Sequence, residues 1–271
     1  MSKACDPVVP GTIGQMARAI AAPAETPVPV WFAPLFVAPF IGSFLGVLIR
    51  RLPAGRPVVL GRSACEACGR VLAVRDLVPL MSYAALRGRC RMCGVRIGAG
   101  HIWIEIAALA VALGSISTQS GIARIWAGCV LGWILLALAW IDWEHMRLPD
   151  VLTLHLIVLG LLAGMVMDPD LVTDRAIAAA AGYLGFRAIG EGYRLLRGRE
   201  GLGRGDAKLL AAAGAWVGLY RLPDVLLAGA LLGLGVVLVQ AVRLGRLRAD
   251  MLIPFGPALA LATWAVWLIG P

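Results

Sequence analysis

Charge is scarce in this chain. Asp, Glu, Lys and Arg make up 15% of its 271 residues. That is too little to coat a soluble globule of this size. Hydrophobic residues make up 60%, and they fall in runs of about 15–22 rather than in short periodic stripes, the signature of membrane-spanning segments. Acids are scarcer than bases, 16 against 25, for a net charge of +9. On a soluble protein that excess would suggest a nucleic-acid partner. Here the basic residues gather between apolar runs, so the positive-inside rule accounts for them and no nucleic acid is expected. No cleavable signal peptide is expected, and no internal repeat or low-complexity tract is seen. Residues 1–30 are mostly small and polar, with Pro27 and Pro29 near the join, and read as a flexible tail.

Eight candidate spans follow, over roughly 31–49, 103–118, 122–142, 151–167, 176–195, 206–220, 223–242 and 252–269. The expected fold is an all-α polytopic membrane protein of about eight transmembrane helices. Span 176–195 is the weakest, because it contains Arg187 and Glu191, four apart on one helical face and able to pair. Most of the Lys and Arg lie on alternate connections. The loop 50–102 alone holds Arg50, Arg51, Arg56, Arg62, Arg70, Arg75, Arg87, Arg89, Arg91 and Arg96. This places the loop in the cytoplasm and both termini outside. The chain therefore divides into a tail (1–30), a first span (31–49), a cytoplasmic loop domain (50–102) and a membrane domain (103–271).

The loop carries two C-x-x-C knuckles, Cys65/Cys68 and Cys90/Cys93. Each presents two thiols on one tight turn, and together they suit a tetrahedral four-thiolate zinc site. Gly69 and Gly94 follow the second cysteines, where a turn favours a residue that tolerates positive φ. Nearby arginines favour the thiolates. Such a closed site leaves no place for water, so its role is structural. A redox pair or free thiols are the alternatives. Cys5 and Cys129 stand alone.

Two acids stand out at span ends. Asp142 closes the run Leu135–Ile141, where the helix dipole disfavours a carboxylate. It either has a function or reaches interfacial water or Arg147. Asp206 follows Gly203-Arg204-Gly205 and precedes an apolar run. An N-cap is one reading, but the glycines exceed what a cap needs and let backbone pass closely. Their spacing does not match a phosphate-binding loop. Asp150, after Leu148-Pro149, reads as an N-cap. Two acids on one membrane face suggest a dyad in which one holds a proton and the other is the base. A proton-coupled transporter would use the same acids, though near mid-bilayer. A zinc-bearing scaffold without chemistry is the third possibility.

Together these residues resemble a family. Gly203-Arg204-Gly205-Asp206-Ala207-Lys208 is similar to the GxGD signature of bacterial type IV prepilin peptidases. Ile141-Asp142 through Pro149-Asp150 resembles the family's other aspartate segment, with Asp142 matching the catalytic acid. Gly42-Ser43-Phe44-Leu45, both cysteine knuckles, Glu105 and Pro254-Phe255-Gly256-Pro257 match in order. The resemblance implies an aspartyl peptidase of the bacterial inner membrane with Asp142 and Asp206 as catalytic pair, supported by Gly203, Gly205 and Lys208. It implies prepilin or pseudopilin substrates with a basic leader and an apolar helix. It also implies methylation of the new N-terminus from S-adenosylmethionine, because relatives without the cysteine loop are peptidases only. No methyl-donor residues can be assigned from the sequence.

Overall fold

The computed structural model describes residues 28–58, 64–65, 67–71, 73, 76, 79–198, 202–244 and 254–270. Most of the expected tail with Cys5, and loop positions such as Glu66, Arg246 and Arg248, lie outside these. Eight helices occupy the eight apolar runs. They are α1 (Ala33–Arg51), α2 (Gly100–Thr118), α3 (Ile122–His145) and α4 (Asp150–Met167), then α5 (Val172–Arg197), α6 (Arg204–Val217), α7 (Leu222–Leu244) and α8 (Gly256–Ile269). Two isolated bridges, Ala64 with Val71 and Arg89 with Arg96, are the β pairing among the described residues.

Five of these helices, α1, α2, α3, α4 and α7, are long and apolar enough to cross a membrane. The other three fall short of the sequence expectation for different reasons. Helix α5 has 26 residues but is polar toward its C-terminus, where Glu191 bonds both Arg187 at 3.0 Å and Arg194 at 2.6 Å. Helices α6 and α8 have 14 residues each, and about 21 Å of helix does not cover a bilayer core of about 30 Å. Helix α6 has no need to. It packs against α4, α5, α7 and α8, and every residue from Leu209 to Trp216 is buried. Protein, not lipid, surrounds it.

Small residues make this sheathing possible. A Cβ on Gly214 would lie 2.5 Å from the backbone carbonyl of Ala178, and one on Gly182 would lie 3.0 Å from the Leu210 oxygen. Helices α5 and α6 thus cross backbone to backbone, as membrane helices do where small residues face each other. Gly214→Ala is expected to destabilise the protein by about 1–3 kcal/mol, because helix backbone cannot yield as a side chain can. Thermal unfolding in detergent reads this as a lower midpoint.

Two apolar clusters fill the bundle. One joins α1, α2 and the middle of α3 around Leu45, Ile49, Ile104 and Trp133. The other surrounds α6 and α8, with Trp216 and Trp267 edge to face at 5.3 Å. Indole donors tie the helices together: Trp133 to the Ala108 carbonyl at 3.0 Å, Trp216 to Leu156 at 2.9 Å and Trp264 to Gly128 at 3.1 Å. At one end of the bundle, Asp168 accepts from Arg124 at 2.9 Å and Arg175 at 2.7 Å. Arg124 and Arg175, two of the basic residues off the arginine-rich connections, thus share an end, held by the acid that caps α4.

Candidate active site and metal centre

Asp142 lies one turn from the end of α3 and is 6% exposed. Its Oδ2 accepts the backbone N–H of Gly256 at 3.0 Å. Gly256 is the first residue of α8. A carboxylate badly placed for its own helix dipole thus sits at the positive end of another. Gly256 is required for this approach, since a Cβ there would lie 2.5 Å from Oδ2. Sequence reasoning noted Gly256 within a motif but missed its role. The available signal was a glycine followed by Pro257, which marks a helix start. Among the described residues no cation pairs with Asp142, so Arg147 is not its partner.

After Asp142 the chain turns sharply. Met146 takes a left-handed conformation, φ 52°, and its N–H bonds the Asp142 carbonyl at 2.9 Å. Leu148-Pro149 then leads into α4. Pro149, not Asp150, is the N-cap. Asp150 is instead the first helical residue, with its carboxylate pointing outward onto the Lys208 ammonium at 2.5 Å. That ion pair clamps the start of α4 to α6 and gives Lys208 its place in the motif.

Asp206 also departs from the N-cap reading. Gly203 is the N-cap of α6, and Asp206 is the third helical residue. Its carboxylate turns back onto the Gly203 backbone, which bonds it, and a Cβ on Gly203 would stand 2.9 Å from Oδ2. An acid in this position satisfies a free N–H and complements the dipole. Gly205 faces Leu148, whose Cβ would lie 2.9 Å from an added Cβ. Both motif glycines therefore serve close approach. They let the α3–α4 turn and the Asp206 carboxylate draw in, so that Asp206 and Asp142 interact electrostatically. Gly256→Ala should push Asp142 off this arrangement. A shift of about 1 Å costs about 10²-fold in rate, so with Asp142 in the catalytic role that the resemblance implies, turnover should fall by roughly that factor while helix content by circular dichroism stays unchanged.

The four loop cysteines converge. The sulfurs of Cys65, Cys68, Cys90 and Cys93 all lie within 4.8 Å of one another, with Cys65 and Cys93 at 3.8 Å. Tetrahedral zinc with bonds of about 2.3 Å sets its sulfurs about 3.8 Å apart, so the donor set fits a metal. Each knuckle closes alike. Gly69 bonds the Cys65 carbonyl at 2.8 Å and Gly94 the Cys90 carbonyl at 2.9 Å, with the glycines at φ 68° and 70°. The backbone N–H groups of Cys93 and Met92 bond the Cys90 sulfur and bring its thiol down to about 7. Against the Val95 backbone N–H, burial and the three neighbouring sulfurs push Cys93 up to about 11. Cys90 is therefore the readier thiolate of its knuckle.

The comparisons agree with this picture along the chain. Residues 129–238 match the Type IV leader peptidase family, and residues 36–118 match the Bacterial Peptidase A24 N-terminal domain. A prepilin leader peptidase/N-methyltransferase of Aeromonas hydrophila is 38% identical over 261 residues, covering 85% of this chain and 87% of its own. One from Burkholderia pseudomallei (strain 1026b) is 39% identical, covering 85% and 82%. One from Pseudomonas aeruginosa is 37% identical, covering 85% and 87%. No solved structure matches the chain. With both parts of the family present in order on a bundle of membrane-spanning helices, the chain belongs to the type IV prepilin leader peptidase/N-methyltransferase family, peptidase A24.

Proposed function

We propose that this protein cleaves the leader from prepilins or pseudopilins at the cytoplasmic face of the bacterial inner membrane, with Asp142 and Asp206 as the catalytic pair, and then methylates the new N-terminal amine. The observation that supports the reading is that Asp206 of α6 lies close enough to Asp142 of α3 to feel its charge. All eight helices lie in the membrane in this reading, with short α6 and α8 shielded by their neighbours.

The chemistry follows from the pair. Two adjacent carboxylates share one proton. The ionised partner takes a proton from water as its oxygen attacks the scissile carbonyl, and the protonated partner gives its proton to the carbonyl oxygen. Collapse of the tetrahedral species breaks the C–N bond: the proton held by the first aspartate passes to the leaving nitrogen, and the second aspartate takes back a hydroxyl proton as the new carboxyl forms. The substrate's apolar helix rests in lipid against the bundle, while its basic leader stays in the cytoplasm. That brings the junction to the level of the acids. Gly256 orients Asp142 through its N–H, while the Asp150–Lys208 pair positions α6. A transporter would want its acids near mid-bilayer. Asp142 and Asp206 lie within a turn of helix ends, which favours the peptidase.

In the second activity S-adenosylmethionine supplies the methyl group. The loop domain 50–102 serves this step, and residues 103–271 carry the peptidase. Cys65, Cys68, Cys90 and Cys93 would hold zinc, which cross-links the loop. The test is purified full-length protein in detergent with a prepilin-type substrate and methyl-labelled donor. Mass spectrometry should find a leader cut after glycine and a methylated N-terminus on the product. An intact substrate in a preparation with folded protein would overturn the peptidase reading, and a cut but unmethylated product would overturn the second half.

A further inference from the structure

A second site lies apart from the aspartates. A cavity of about 620 Å³ opens between the facing ends of α1 and α2 and the cysteine module, and none of its lining comes from α3 to α8. This volume suits a ligand of drug or cofactor size. Its floor is Glu105, which is 7% exposed. The Glu105 carboxylate accepts the Leu80 N–H at 2.8 Å and bonds Ser43. Leu80 itself sits at φ 57°, a conformation leucine rarely adopts and one that such a bond helps to hold. The mouth is cationic, bordered by Arg51, Arg56 and Arg70, while Asp76 beside it is already paired with Arg91 at 2.8 Å. Val47 and Tyr83 supply apolar wall.

We infer that this cavity is the methyl-donor site, binding S-adenosylmethionine with its sulfonium end toward Glu105 and its carboxylate toward the arginines. The inference rests on the methyl-transfer reading above. The charge layout selects the ligand class. A nucleoside phosphate would suit the arginines but would bring negative charge against a buried carboxylate. A ligand carrying a cation, an anion and a flat apolar ring satisfies the acid floor, the basic mouth and the wall together. The donors seen on Glu105, the Leu80 N–H and Ser43, are neutral, and a buried carboxylate held by neutral donors gains from a cationic ligand. Glu105 was visible in the sequence only as part of a motif. Its position follows from Gly42, where a Cβ would lie 2.6 Å from the Glu105 Cα. Close contact of α1 and α2 there sets the cavity floor.

Equilibrium dialysis of labelled S-adenosylmethionine against full-length protein in detergent tests this. Wild type should bind saturably. Glu105→Gln, which can still accept from Leu80, and Val47→Trp, which fills the cavity, should each weaken binding roughly tenfold or more. Arg87→Gln and Arg96→Gln, outside the cavity, should bind as wild type. Metal content and gel-filtration profile report folding for each variant, and Glu105→Gln decides if the tryptophan variant misfolds. Wild-type affinity in a folded Glu105→Gln protein would overturn the cavity assignment alone. Absence of donor binding by wild type would overturn it together with the methyl-transfer reading.

Discussion

Asp142→Asn and Asp206→Asn are each expected to reduce leader cleavage by about 10³-fold or more, the upper range for loss of a general acid or base. Asparagine keeps the shape of the carboxylate and can still accept the Gly256 N–H at position 142 or the Gly203 backbone at position 206. Folding should therefore survive, and the loss should appear in kcat rather than KM. Rates of prepilin cleavage at saturating substrate, with helix content and metal content as controls, measure it. Asp150 provides the contrast. Its carboxylate is turned outward onto Lys208, so it acts on the site only through helix position.

The second large effect is expected at the cysteines. Cys65→Ser or Cys90→Ser, or stripping metal with a chelator, should unfold the loop module and remove donor binding and methyl transfer with it. Among its described residues the module shows little core of its own. Between residues 52 and 99, the buried positions among those described are Pro79, Gly88 and Cys90. Regular structure among those described residues amounts to the single turn Met81–Ala85, a 3-10 position at Asp76, the two bridges and isolated turns. Burial by these residues offsets little of the ordering entropy of the loop. A structural zinc contributes about 10–16 kcal/mol, enough to decide whether the module folds. Metal analysis should find about one zinc per wild-type chain, and limited proteolysis should cut the loop in the serine variants. A stable, metal-free loop in the wild type would contradict the assignment. Cleavage should fall less than donor binding, because the aspartates stand on α3 and α6.

Much of the bundle was legible because hydropathy is additive along the chain. Each apolar run became a helix, and the Arg187–Glu191 spacing foretold the ion pair observed in α5. The knuckle glycines were legible too, since a tight turn asks for positive φ and Gly69 and Gly94 supply it. The depth of each helix was not. The run beginning near residue 206 reads as lipid-exposed, yet it is a short helix wrapped by four others, and only its Gly and Ala content hinted at close neighbours. The site was legible in its members but not in its contacts. Asp206 and Asp150 both looked like caps, because Asp is a common cap. The actual caps are Gly203 and Pro149, which free one acid for the interior and the other for Lys208. The bond from Gly256 to Asp142 joins residues far apart in the chain, so no local pattern encodes it. The same holds for the cavity above Glu105, assembled from three separate stretches.

The most direct test of a shared-proton pair is the double variant Asp142→Asn/Asp206→Asn measured beside the two single variants in the same cleavage assay. If the acids act as one unit, removing the second adds nothing once the first is gone. The expected result is one common residual rate for all three proteins. A double variant slower by the product of the two single effects, or either single variant cleaving at close to the wild-type rate, would contradict the dyad.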